Sequence, residues 1–278
     1  MRLNNFILIN VIAAACLLLF SHDLLAADEW QFEVTPYLWA PNIDGTLNYD
    51  IPSGSSASPG VTVGPADYLE HLEMAGMITA GVRKGKWSVF TDFIYLDFGV
   101  DNSSVNSVQF TGPSSRVSLG TALDTGTSTS LKGIEWTLAC GYGLLETEKA
   151  SLDAFVGFRY FDIEFKTDWN LSASVSSPVG GLTFNRSGSI SQGEELWDVI
   201  VGARGRINLG NRNWYLPYYL DIGTGSSDFT WQGVLGLAYA FESIDIKLVY
   251  RHLYYDTSCK LIDDMRFSGP AFGATFKF

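Results

Sequence analysis

The sequence predicts an all-β chain: an antiparallel, up-and-down transmembrane β-barrel of about ten strands, with about eight or about twelve as alternatives. Three observations carry that prediction. Apolar residues alternate with small or polar ones at period two through most of the chain. The apolar parity carries aromatics near strand ends, among them Trp87, Tyr95, Trp136, Tyr142, Trp214, Trp231, Tyr239, Phe241, Tyr250 and Tyr254; membrane barrels place such residues at the lipid–water interfaces. The connections alternate between short turns and long loops, which is how such barrels divide their two ends.

The strands read as 30–40, 73–83, 87–99, 131–143, 152–165, 195–208, 213–223, 229–241, 244–255 and 266–278. Each reaches the roughly 9–11 residues that a tilted strand needs to cross a bilayer. In LKGIEWTLACGYG, Ile134, Trp136, Leu138, Cys140 and Tyr142 share one face, and Glu135, Thr137, Ala139, Gly141 and Gly143 the other. In FTWQGVLGLAYAF, Phe229, Trp231, Leu235, Leu237, Tyr239 and Phe241 oppose Thr230, Gln232, Gly236, Ala238 and Ala240. A soluble sheet would oppose its apolar face with long Lys and Glu side chains. Gly, Ala and isolated charges suit the lumen of a narrow barrel instead. The short connections are Lys84-Gly85-Lys86, 144–151, 210–212 and 242–243; the others are 41–72, 100–130, 166–194, 224–228 and 256–265. The long ones are rich in Ser, Gly and Thr, and are expected to carry some strands onward into hairpins outside the membrane.

Composition narrows the class further. Charged residues are 17% of the 278 residues, against about 25% in soluble domains. The net charge of −12 argues against a nucleic-acid partner, because phosphate binding rests on clustered Lys and Arg. Residues 1–27 read as a secretory signal: Arg2, an apolar run from Phe6 to Phe20, and small residues at Ala26 and Ala27. Residues 28–278 form the barrel. Ala13-Ala14-Ala15-Cys16 is a poor lipoprotein box, because apolar Leu17 follows the cysteine. Beyond the signal no run is apolar and long enough for a membrane helix. Cys140 and Cys259 fall at opposite ends of the predicted barrel, so no bond between them is expected.

The last residues, GPAFGATFKF, put Phe272, Phe276 and Phe278 on one parity. The last strand must close the barrel against WQFEVTPYLWA, because open edges do not exist in lipid. This ending resembles the C-terminal signal of Gram-negative outer-membrane barrels, in which a terminal aromatic is read by the barrel assembly machinery. PYLWAPNIDGT at 36–46, KGKWSVFTDFIYLDFG at 84–99 and DFTWQGVLGLAYAF at 228–241 are similar to a family of outer-membrane barrels without an assigned activity. The resemblance implies an outer-membrane location and a barrel architecture. Outer-membrane lipid and lipopolysaccharide are the expected surroundings, and with no phosphate-cradling Gly loop, CxxC pair or HExxH in the sequence no cofactor is expected. A monomer is expected.

Parity sorts the charges. Glu33, Asp92, Glu135, Asp153, Asp198 and Asp221 face inward, with Arg83, Arg159, Arg204, Arg206, Lys247, Arg251 and Lys277. Unpaired charge in a narrow lumen is costly. The bland reading is therefore a salt-bridged, water-poor interior; the alternative is a narrow channel whose selectivity these charges set. Inward Phe90, Ile94, Phe155 and Phe161 favour constriction. Catalysis has one candidate: His252 falls opposite Ser268 on the lipid face near the outer rim, where a nucleophile–base pair could attack a lipid ester. No GxSxG surrounds the serine and no third acid is evident on that face. Asp67, Glu70, His71 and Glu73 read as an acidic loop segment rather than a metal site.

Overall fold

The structure is a computed structural model that describes residues 29–47, 49–50, 56–57, 60–65, 72–101, 123–124, 128–177, 180–210, 213–257 and 262–278. Ten antiparallel strands form the barrel: β1 (Gln31–Trp39), β2 (Leu72–Lys84), β3 (Trp87–Asp101), β4 (Ser128–Glu146), β5 (Ala150–Ser177), β6 (Gly180–Asn208), β7 (Trp214–Gly225), β8 (Phe229–Ala240), β9 (Ile244–Asp256) and β10 (Ile262–Lys277). Each pairs with its neighbours in chain order, and β1 also pairs with β10. The closing register sets Glu33 against Lys277 and Leu38 against Phe272. At the seam Phe32 and Phe278 exchange backbone hydrogen bonds of 3.1 and 2.9 Å. The C-terminal strand thus leaves no open edge at this seam, as lipid requires.

Short turns gather at one end. Lys84 pairs with Trp87, leaving a two-residue turn in which Gly85 takes φ +55°, a value that costs glycine little. Several strands run well past the roughly 9–11 residues that cross a bilayer. β5 and β6 are 28 and 29 residues long, and they stay paired from Ala150↔Ile207 to Ser177↔Gly180. Most of 166–194 is therefore hairpin rather than loop. β10 also runs on, and Asn42–Leu47 pairs alongside it, followed by Gly60–Val63. The signal segment, Asp67, Glu70, His71 and Cys259 lie outside the described residues. Cys140 is disulfide-bonded; the expectation of no bond between it and Cys259 falls on Cys259, outside the described residues.

The outer surface is apolar. Leu38, Val201, Leu220, Leu235, Leu248 and Phe272 are among its exposed side chains, far more contiguous grease than a soluble monomer shows. Aromatics bracket this band. At the turn end Trp87 meets Tyr142 at 4.8 Å and Trp214 meets Tyr239 at 4.9 Å. Toward the loop end Trp136, Phe158, Trp197 and Tyr160 form a continuous row. A closed barrel with an apolar belt and two aromatic girdles is a membrane barrel of the outer-membrane type.

Lipid exposure predicts the cost of charge on this face. Leu235→Arg, at mid-strand, should destabilise by about 2–4 kcal/mol, while Leu144→Arg, near the turn rim, should cost about 0–1 kcal/mol. Denaturant titration in lipid vesicles reads both. Equal, near-zero costs would contradict a membrane-facing surface.

Candidate functional site: a layered lumen

Every inward charge read from the sequence lies inside the barrel, either buried or lining a cavity. Asp245 joins them, 2% exposed. It shares a face with Lys247 and Arg251, and it brings the two signs in this set level at seven each. The interior is layered from the turn end upward.

The lowest layer is a vestibule of about 610 Å³. Arg83 pairs with Asp153, and Arg204 Nε lies 3.7 Å from the same carboxylate. Lys277 Nζ meets Asp245 at 2.6 Å, and Tyr215 donates to that residue's other oxygen at 2.7 Å. Above it sits an aromatic floor. Phe90 and Phe155 meet edge to face at 5.1 Å, and Tyr219 stacks on Phe155 at 5.0 Å. The Arg204 guanidinium covers Phe90 at 3.8 Å. Gly202 makes room for this floor: a Cβ there would lie 2.5 Å from Phe155 Cζ.

The third layer holds the densest charge. Glu135, 4% exposed, is shared by two arginines. Arg251 Nη2 reaches it at 3.0 Å and Arg159 Nε at 3.3 Å. Arg251 also pairs with Asp92 at 2.7 Å and donates to Gln232 at 2.8 Å and Tyr37 at 2.9 Å. Tyr37 and Thr79 each donate to Asp92, at 2.7 and 3.1 Å. Arg159 pairs with Asp221 as well. Asp198 makes no ion-pair contact among the described residues; Ser227 donates its backbone N–H to it at 2.8 Å and its hydroxyl at 2.7 Å.

The fourth layer is apolar. Trp39, Met77, Ile94, Phe161, Leu253 and Phe267 belong to one buried cluster. Phe161 lies 4.8 Å from Tyr255 and 5.8 Å from Phe267. Arg251 joins the two upper layers, its guanidinium 4.7 Å from the Trp39 ring. Inward Phe90, Ile94, Phe155 and Phe161 therefore constrict the lumen as expected. The sequence reading passed over Trp39, Tyr37, Tyr219 and Tyr255, although the parity of Glu33, Asp221 and Arg251 carries them inward.

The rim pair also forms. His252 and Ser268 are register partners, and Nδ1 lies 2.6 Å from Oγ. The imidazole packs 4.5 Å from Trp231. Among the described residues no carboxylate hydrogen-bonds the ring's other nitrogen, and no group of three or more potential metal ligands gathers at one point.

Breaking the shared-carboxylate layer should be costly. Arg251→Ala leaves Asp92 and Glu135 buried with less positive charge and is expected to destabilise by about 3–5 kcal/mol. Lys277→Ala removes a half-exposed partner and should cost about 1 kcal/mol or less. Equal, small losses in denaturant titrations would show that the buried arginine is not needed.

No family model matches the chain, and no curated protein matches it. Among solved structures the chain is similar to the outer membrane protease OmpT of Escherichia coli, at 9% identity and a TM-score of 0.54, over 93% of this chain and 100% of that one. Ail, the attachment invasion locus protein of Yersinia pestis, aligns at 12% identity and a TM-score of 0.34, over 90% of this chain and 99% of that one. The Pseudomonas putida toluene transporter TodX aligns at 10% identity and a TM-score of 0.32, over 91% and 90%. The OmpT likeness is one of fold: this chain is a closed, ten-stranded antiparallel barrel of the outer-membrane type.

Proposed function

We propose that the chain is a non-conducting, non-enzymatic outer-membrane barrel that presents structure and binding surface rather than a passage. The observation that carries this reading is the third layer: Arg159, Arg251, Asp92, Glu135 and Asp221 engage one another across the lumen, beneath an apolar cluster. An ion would have to break these pairs and then cross the hydrophobic layer. In this reading the barrel stands as a monomer among outer-membrane lipid and lipopolysaccharide. The outward aromatics Phe272, Phe276 and Phe278 serve its insertion by the barrel assembly machinery. The sequence likeness of 36–46, 84–99 and 228–241 to outer-membrane barrels without an assigned activity accords with that role.

A second reading attaches to the rim, where the 2.6 Å contact places His252 as base beside Ser268 as nucleophile. It would make the barrel an esterase acting on lipid acyl chains. Among the described residues no acid holds the second ring nitrogen, which keeps this reading second. Hydrolysis of a micellar nitrophenyl ester by the wild type, lost in Ser268→Ala, would support it; equal rates would remove it.

Planar-bilayer recording tests the principal reading. The folded wild-type barrel should give no conductance steps. Arg204→Ala/Arg206→Ala should be equally silent, because both residues lie below the seal. Discrete steps from folded wild-type protein would overturn the closed-lumen reading.

A further inference from the structure

The turn-end vestibule has a feature that the seal does not need. Its walls carry five bases, and only three have an acidic partner: Arg83 and Arg204 share Asp153, and Lys277 holds Asp245. Among the described residues Lys247 makes no hydrogen bond or ion pair. Arg206 has only the Tyr215 ring, 5.7 Å away. Glu33 is also unpaired; its carboxylate lies over Gly81, where a Cβ would come within 2.8 Å of Oε1.

Lys247, Arg204 and Glu33 stand where two cavities meet, because they line both the 610 Å³ vestibule and a second cavity of about 220 Å³ above it. The upper cavity is walled on one side by Phe90, Tyr219, Pro217, Val234 and Val249. Cationic groups at its neck and an apolar, aromatic wall above describe two parts of one ligand. Glu33 and Asp245 act on Lys247 without touching it, against the like charges of Lys277 and Arg204, and an ammonium with no carboxylate in contact is costly to keep in the lumen. An anion entering from the turn end would supply that charge. The combined space falls within the range of small-molecule sites, roughly 300–1,000 Å³.

We propose that the vestibule is a binding site for a small organic anion, a phosphate or carboxylate carrying an aromatic or apolar body. The anionic group rests between Lys247 and Arg206, with Arg204 beside them. The body lies upward against Phe90, Tyr219 and Pro217. Glu33 opposes a second negative charge, so the site favours one anionic group over several. The ligand approaches from the turn end and leaves by the same route. This inference goes beyond the closed-lumen reading and is tested apart from it: wild-type conductance contradicts the seal, whereas loss of binding contradicts the site.

The test is calorimetric titration of refolded, detergent-solubilised full-length barrel with phenyl phosphate, benzoate and inorganic phosphate. Folding of each variant is verified by its faster gel migration without heating. Phenyl phosphate and benzoate should bind the wild type, and inorganic phosphate should bind at least about tenfold more weakly than phenyl phosphate. Lys247→Met should weaken phenyl phosphate at least about tenfold, and Glu33→Gln should tighten it. Arg206→Gln, at the more open mouth, is the second variant and should also weaken binding. No binding at millimolar probe, or affinity unchanged in both Lys247→Met and Arg206→Gln, would overturn the site. Equal affinity for inorganic and phenyl phosphate would overturn the apolar part of it.

Discussion

Two guanidinium groups sit on one carboxylate in the middle of the barrel, and much of the lumen is arranged around them. Glu135 cannot be solvated there, and neither can Arg159 or Arg251, which are 0% and 4% exposed. Each charge therefore needs a partner on another strand, and the partners span the circumference. Arg251 on β9 reaches Tyr37 on β1, Asp92 on β3 and Glu135 on β4. Arg159 on β5 reaches Asp221 on β7. The pairs act as spokes that fix the barrel's cross-section, because moving any one strand outward leaves a buried charge unpaired.

The other layers follow from that one. Small residues such as Gly202 admit the Phe155 ring below the spokes, and the apolar cluster caps them above. The apolar cap keeps water from the ion pairs on the loop side, and inside the protein their attraction is screened less than in solution. The vestibule is the exception. It opens at the turn end, and there, among the described residues, Lys247, Arg206 and Glu33 make no ion pair. In the proposed reading the barrel is sealed at mid-height and open at its turn end, a cup rather than a tube, whose bases are suited to holding an anion.

The sequence made the strands legible because period two is a strong signal where one face meets lipid and the other a packed lumen. Parity alone assigns Leu235 and Gln232 to opposite faces, and the thirteen inward charges lie buried or along the lumen cavities. The pairings were not legible. Arg251 and Tyr37 are 214 residues apart in sequence, and which of them meet depends on strand tilt and stagger, which parity does not encode. Asp245 shares the parity of Lys247 and Arg251 but is not among the inward charges read from the sequence. The Ser, Gly and Thr of 166–194 marked a long connection able to extend its strands, and β5 and β6 do continue through it as a paired hairpin. His252 and Ser268 were found by register alone, because a short loop fixes which residues face one another across a hairpin.

The central claim is that the lumen is closed at the level of Arg251 and open below it, and thiol accessibility tests that most directly. Single cysteines are placed at Lys247, in the vestibule, and at Thr230, beside Arg159, in a chain whose native cysteines are replaced by serine. Each is exposed in vesicles of known orientation to a membrane-impermeant maleimide from one side at a time. The account predicts labelling of the Lys247 position from the turn side alone, and none at Thr230 from either side. Labelling of the Lys247 position from the loop side would mean that a solute passes the paired arginines, and the account would be wrong.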